Sequence, residues 1–118
     1  MDSIILQKSK RFAVRIIKLY QFLCNDKNEY VMSKQLLRSG TSIGANCREA
    51  ARAQSTPDFI SKLNIALKEA DETAYWLELL HETNYLNDDQ FKSIDADAEE
   101  LIKILVSIIK STKNSVNS

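Results

Sequence analysis

The sequence predicts an all-α protein, an antiparallel up-down-up-down four-helix bundle contained in one domain of residues 1–118. Three observations predict it. Turn formers are scarce: 118 residues hold two glycines, Gly40 and Gly44, and one proline, Pro57, so the chain has few places to reverse and long helices are favoured over short strands. Four stretches repeat apolar residues at helical spacing. The segments between them are short, which makes successive helices antiparallel neighbours. A chain of this length, 44% hydrophobic and 27% charged, suffices for one core and is too short for two ordinary domains.

The first helix is expected over 8–24. Phe12, Ile16, Leu19, Tyr20 and Leu23 recur at the spacing of one amphipathic face. Lys8, Arg11, Arg15 and Lys18 gather on another face as a stripe of cations. The polar segment NDKNEY, residues 25–30, ends the helix.

The second helix is expected over 33–54, with Ser33 as its N-cap. Leu36, Gly40, Ile43, Cys47 and Ala50 turn to one side, and Lys34, Arg38, Arg48 and Arg52 turn roughly opposite. Each glycine inside a helix costs about 1 kcal/mol relative to alanine, so two of them in one helix call for a reason. With Ser39, Ser42 and Ala45 they leave a strip nearly free of side chains, against which another helix can pack closely; a break at Gly40 is the competing reading. Asn46 sits at the margin of the apolar face, where a buried amide needs a hydrogen-bond partner within the bundle or across a subunit contact.

The third helix, 57–82, carries the clearest start signal: Thr56 as N-cap, Pro57 in the first helical position and Asp58 at the positive end of the dipole. Phe59, Leu63, Ala66, Leu67, Ala70, Ala74 and Leu77 form its core stripe. Ile65, Trp76 and Leu79 lie away from that stripe, interspersed with Glu69 and Glu72. A second apolar face with the only Trp either anchors a subunit interface or lies along a neighbouring helix of the same chain.

The fourth helix is expected over 88–111, with Asn87 and Gln90 at capping-box spacing. Phe91, Ile94, Ala98, Leu101, Leu105 and Ile108 alternate by three and four, the seam of a bundle, and Ile102, Ile104 and Ile109 widen it. The polar tail STKNSVNS is expected to fray.

Net charge is zero but divided. Residues 1–53 hold ten Lys/Arg against four Asp/Glu, and residues 54–118 hold six against twelve. Either basic helices pack beside acidic ones, within or between subunits, or the basic half meets a polyanion. Cys24 and Cys47 fall on different helices without CxxC spacing and read as reduced packing residues. The opening MDSIILQKSKRF has too short an apolar run for a signal-peptide core or membrane span, which points to the cytoplasm and away from a membrane.

Chemistry is sparse. His81 is the only histidine, which excludes a multi-histidine metal site, and its place near the end of the third helix suits a structural role. The segment KEADE, residues 68–72, lacks the Glu-x-x-His motif of di-iron bundles. No phosphate loop, nucleophile elbow or paired-carboxylate cleft is identifiable. The expectation is a non-enzymatic protein with no metal, no cofactor and no small-molecule substrate, whose informative polar residues are Ser42, Asn46, Arg48, Glu49 and Glu69.

The words RSGTSIGAN, residues 38–46, and KLNIALKEADETAYWL, residues 62–77, together with FAVRIIKLYQFL, residues 12–23, carry a resemblance over nearly the whole chain. The sequence resembles the four helix bundle protein family, also called the 23S ribosomal RNA intervening-sequence proteins, whose members are encoded within insertions in ribosomal RNA genes. It is also similar to the accessory proteins of diversity-generating retroelements. The resemblance implies an antiparallel four-helix bundle assembled as a homopentameric ring, without assigned enzymatic activity, with nucleic acid or a nucleic-acid-processing protein as partner. Cys47 departs from the larger aliphatic residue of many members, which implies looser packing beside Gly44. On this reading Lys8, Arg11, Arg15, Lys18, Lys34, Arg38, Arg48 and Arg52 contact phosphates of RNA or DNA. Ile65, Glu69, Trp76 and Leu79 form the oligomer interface, and Gly40, Gly44 and Asn46 serve close helix packing. The alternative is a structural or adaptor protein whose cations are consumed by intersubunit ion pairs.

Overall fold

Four helices make up the computed structural model, which describes residues 3–117: α1 (Ser3–Asn25), α2 (Met32–Ala51), α3 (Thr56–Glu82) and α4 (Asp88–Asn117). The single-domain reading also takes in residues 1, 2 and 118, which lie outside the described residues. No strand occurs among the described residues. Each helix packs on its chain neighbours, and α1 packs on α4 to complete a four-helix bundle measuring 50 × 21 × 20 Å.

The core follows the apolar stripes. Phe12, Ile16 and Leu23 of α1, Leu36, Ile43, Cys47 and Ala50 of α2, Leu63, Ala66, Ala70 and Leu77 of α3, and Ile94, Ala98, Leu101 and Leu105 of α4 are buried. Burying each large aliphatic side chain contributes about 1.5–3 kcal/mol. Leu19, Tyr20, Phe59, Leu67, Ala74, Phe91 and Ile108, expected on the same stripes, are half-buried; Thr73 and Leu80 join the core instead, and Ile109, expected to widen the α4 face, is buried.

Several boundaries move from expectation, each for a local reason. α1 begins five residues early because Ile5, fully buried, extends the stripe of Phe12 and Ile16 by two turns. α2 is continuous through Gly40 and Gly44, so the break does not occur. Ser33 is not its N-cap. It lies inside the first turn, and the cap is the Glu29 carboxylate, which accepts the backbone N–H groups of Val31 (3.1 Å), Met32 (3.1 Å) and Ser33 (2.7 Å). The Ser33 hydroxyl in turn donates to the Glu29 carbonyl at 2.8 Å. The turn that presents Glu29 passes through Asn28 at φ 54°, the left-handed region that asparagine tolerates.

α3 starts from Ser55 rather than Thr56: the Ser55 hydroxyl accepts the Asp58 N–H at 3.2 Å, and Pro57 occupies the first turn. At α4 the expected box forms in both directions, Gln90 N–H to Asn87 Oδ1 at 2.8 Å and Asn87 N–H to Gln90 Oε1 at 2.9 Å. The tail does not fray at residue 111. α4 continues to Asn117, with Thr112 half-buried and its hydroxyl donating to the Ile108 carbonyl at 2.7 Å.

The two glycines face α1. A Cβ on Gly40 would lie 2.8 Å from both Cγ atoms of Ile16, and one on Gly44 would lie 3.4 Å from the Ser9 backbone. Rising residue numbers in α2 therefore meet falling ones in α1. The same reversal joins α1 to α4, where Arg15 reaches Asp97 and Lys8 reaches Glu100.

Candidate nucleic-acid interface

The eight expected phosphate-binding cations divide into two groups once the helices are packed. Lys8, Arg15 and Arg38 meet carboxylates of α3 or α4. Lys8 Nζ donates to Glu100 at 3.0 Å, and Arg15 donates to Asp97 at 2.6 Å, to the Ser93 hydroxyl at 2.9 Å and to the Ser93 carbonyl at 3.2 Å. Arg38 holds Glu69 at 3.2 Å and also binds the Glu72 carboxylate. Thus part of the charge division is consumed by basic helices lying beside acidic ones inside the chain.

Arg11, Lys18, Lys34, Arg48 and Arg52 stand apart from these pairs. All five are exposed and make no ion pair among the described residues. Lys34 and Arg48 lie on α2 and Arg52 just past its end, whereas Arg11 and Lys18 lie on α1 and line grooves against α4, Arg11 with Asp97 and Glu100 and Lys18 with Asp89; the described α1–α2 half itself holds the carboxylates Asp26, Glu29 and Glu49. Glu29 is buried as the α2 cap.

Lys10 belongs with the unpaired group, although the sequence stripe passes it by. It is exposed and lines a shallow groove between α1 and α2 together with Arg48. The missed signal is angular: Lys10 lies two residues from Lys8, about 200° around the helix, so a stripe drawn through Lys8 and Arg15 leaves it on the opposite edge, the one that α2 approaches.

The expected oligomer residues are not all equally available. Ile65 is 40% exposed. Trp76 and Leu79 are half-buried; Trp76 packs on the core, donates its indole N–H to Glu72 at 3.0 Å and meets Tyr75 edge-on at 5.4 Å. Glu69 is engaged by Arg38. Further apolar surface that sequence reasoning left unremarked lies on α1, where Ile4, Val14 and Ile17 are 49%, 45% and 41% exposed. Asn46 bonds within its own helix, donating to the Ser42 carbonyl at 2.8 Å, rather than across a contact.

The titratable groups serve packing. His81 stacks on Phe91 at 4.3 Å and hydrogen-bonds Asp88 at 2.7 Å, clamping the end of α3 to the start of α4. That hydrogen bond, with the charge of His81, holds the Asp88 carboxyl below its ordinary value. Burial pushes the Cys47 thiol up to about 11, against a lowering hydrogen bond with Ser9. The hydrogen bond to Cys24, then its charge, raises Tyr20. Both cysteines are free thiols. Among the described residues no group of three or more His, Cys, Asp or Glu side chains is placed to hold a metal ion, and no helix is long and apolar enough to cross a membrane.

A family model described as 23S rRNA-intervening sequence protein matches residues 1–107. Among solved structures, the chain is similar to a protein of unknown function from the S23 ribosomal protein family of Bacteroides thetaiotaomicron. The two are 62% identical with a TM-score of 0.91, and the match covers 92% of this chain and 96% of that one. No curated protein matches the chain.

Proposed function

The chain belongs to the 23S rRNA-intervening sequence protein family, and from that premise we propose that it is a non-enzymatic, ring-forming four-helix bundle that associates with nucleic acid through the outer faces of α1 and α2. One observation carries the reading: Arg11, Lys18, Lys34, Arg48 and Arg52 are exposed and have no ion-pair partner among the described residues. Exposed cations left unpaired create a positive field that attracts a polyanion. A family named for ribosomal RNA makes RNA the first polyanion to test.

The up-down-up-down arrangement is supported by the reversed pairing of α1 with α2 and with α4. A ring of identical copies, a pentamer by the resemblance, multiplies the basic face by symmetry so that its fields add. Ile65 of α3, 40% exposed, is apolar surface that such a ring has to cover. Replacing Trp76 with Ala dissociates the assembly if that side chain anchors the contact; an unchanged mass by light scattering removes it from the interface. A cytoplasmic location belongs to the same proposal.

Filter binding to structured RNA and to duplex DNA at two salt concentrations tests the nucleic-acid role. Binding that weakens steeply with salt and varies little with sequence is expected. Absence of binding at low salt refutes it. A second reading, a structural or adaptor protein, is favoured by the capture of Lys8, Arg15 and Arg38 in ion pairs, and it gains if the remaining cations prove to be covered by a protein partner.

A further inference from the structure

We infer that the groove between α3 and the C-terminal part of α4 binds a medium-chain carboxylate, its apolar chain on Leu67, Val106 and Ile109 and its head group between Lys110 and Lys113. The inference goes beyond the nucleic-acid reading, which uses neither lysine.

The groove encloses about 300 Å³, the lower end of the range for sites that take small molecules. Its floor is aliphatic. Ile109 is buried, Leu67 is half-buried against the core, and Val106 is 45% exposed, so an apolar chain laid along them covers carbon that now faces water. Val106, Lys110 and Lys113 succeed one another at spacings of four and three residues, which puts them on one face of α4. From Val106 to Lys113 is about 10 Å along the helix axis, the reach of an extended octanoate. The wall exists because α4 stays helical to Asn117. Thr112, bonded to the Ile108 carbonyl at 2.7 Å, belongs to this last stretch, which brings Lys113 and Asn114 into the lining.

Charge selects the head group. Lys110 and Lys113 are exposed and make no ion pair among the described residues. No carboxylate is near them in either helix. From Leu101 to Asn117, α4 holds three lysines and no Asp or Glu, and from Phe59 to Lys68, α3 holds two lysines and none. Like charges three residues apart on a helix are neighbours that repel. An anion set between them relieves that repulsion and accepts charge-assisted hydrogen bonds from both, while the lysine stems extend the apolar surface. A cation or a neutral chain gains nothing from the pair, and an anion without a chain leaves the floor wet.

The groove is also separate from the expected subunit contact. Leu67 lies two residues from Ile65, about 200° around α3, and so on the opposite side of that helix from Ile65, Glu69, Trp76 and Leu79.

The test is methyl nuclear magnetic resonance of the full chain titrated with octanoate, with butanoate and octylammonium as controls. Octanoate is expected to move the methyl signals of Leu67, Val106 and Ile109 to saturation and to leave those of Ile4 and Val14, exposed on α1, in place. Butanoate, whose shorter chain covers less of the floor, should bind about tenfold more weakly, and octylammonium should not saturate the site. The double variant Lys110→Gln, Lys113→Gln should weaken octanoate about tenfold; circular dichroism confirms that it folds. No saturable movement overturns the inference. So does octylammonium binding as tightly as octanoate, or a double variant that binds like wild type, since either removes the lysines from recognition. Movement of the α1 methyls in parallel with those of the groove reduces the effect to non-specific apolar binding and also overturns it. A change of assembly mass by light scattering in the double variant assigns the groove to a second copy of the chain instead. None of these outcomes alters the nucleic-acid reading, which the filter-binding experiment decides separately.

Discussion

Alanine at Gly40 separates helix propensity from packing, because the two push stability in opposite directions at one atom. Inside a helix, Gly→Ala is worth about 1 kcal/mol in favour of the variant. Against it stands Ile16, fully buried, whose two Cγ atoms would lie 2.8 Å from the new Cβ and whose own Cβ would lie at 3.2 Å. These atoms belong to a β-branched side chain with one favoured rotamer in a helix, so they cannot swing aside, and α1 must shift or strain. Overpacking of this kind costs about 1–3 kcal/mol; with two such contacts the upper end applies, and the net loss is about 2 kcal/mol. For a domain of this size that is roughly 8 °C in Tm. Gly44→Ala is the internal control: its Cβ meets Ser9 at 3.4 Å, near ordinary contact, so the propensity gain survives and stability stays level or rises. Urea unfolding followed by far-ultraviolet circular dichroism measures both variants. Adding Ile16→Ala to Gly40→Ala should give a loss smaller than the sum of the two single losses, since the clash has lost its partner. A Gly40→Ala protein at least as stable as wild type, or indistinguishable from Gly44→Ala, refutes the packing argument.

Glu29→Ala uncaps three N–H groups at the start of α2 and should cost about 2–3 kcal/mol; Glu29→Gln, which keeps an acceptor, should lose less, and equal losses would show that the carboxylate is not acting as the cap. For Asp88, whose carboxyl His81 holds below the ordinary value of 3.8, the stabilisation is present above that value and disappears as pH falls through the lowered one. The midpoint difference between wild type and Asp88→Asn should therefore be present at about pH 6 and closed by about pH 2; a difference independent of pH would assign the effect to something other than the ionised pair.

The helices and their inward faces were legible because each is a local, periodic property: Leu36, Ile43 and Cys47, or Ile94, Ala98 and Leu101, declare a buried face by spacing alone. Capping was legible where it used ordinary residues at ordinary spacing, as at Asn87 and Gln90. At α2 it was not. A glutamate three residues before the helix, delivered by a left-handed asparagine, has no standing among the usual N-cap residues. The length of α4 was misread for a related reason: a polar tail reads as frayed in isolation, whereas half-buried Thr112 bonds to its own helix.

By itself, then, the sequence determined four helices, the composition of the core, the division of charge between the halves and the family. Tertiary structure decided which cations remain for a partner. A side chain's position around its helix follows from 100° per residue, but whether Arg15 meets Asp97 or Arg48 meets solvent depends on which helix lies against that edge. Coulomb energies fall with distance between groups and not with distance along the chain, so the three cations consumed and the five left free became distinguishable only when the helices were packed.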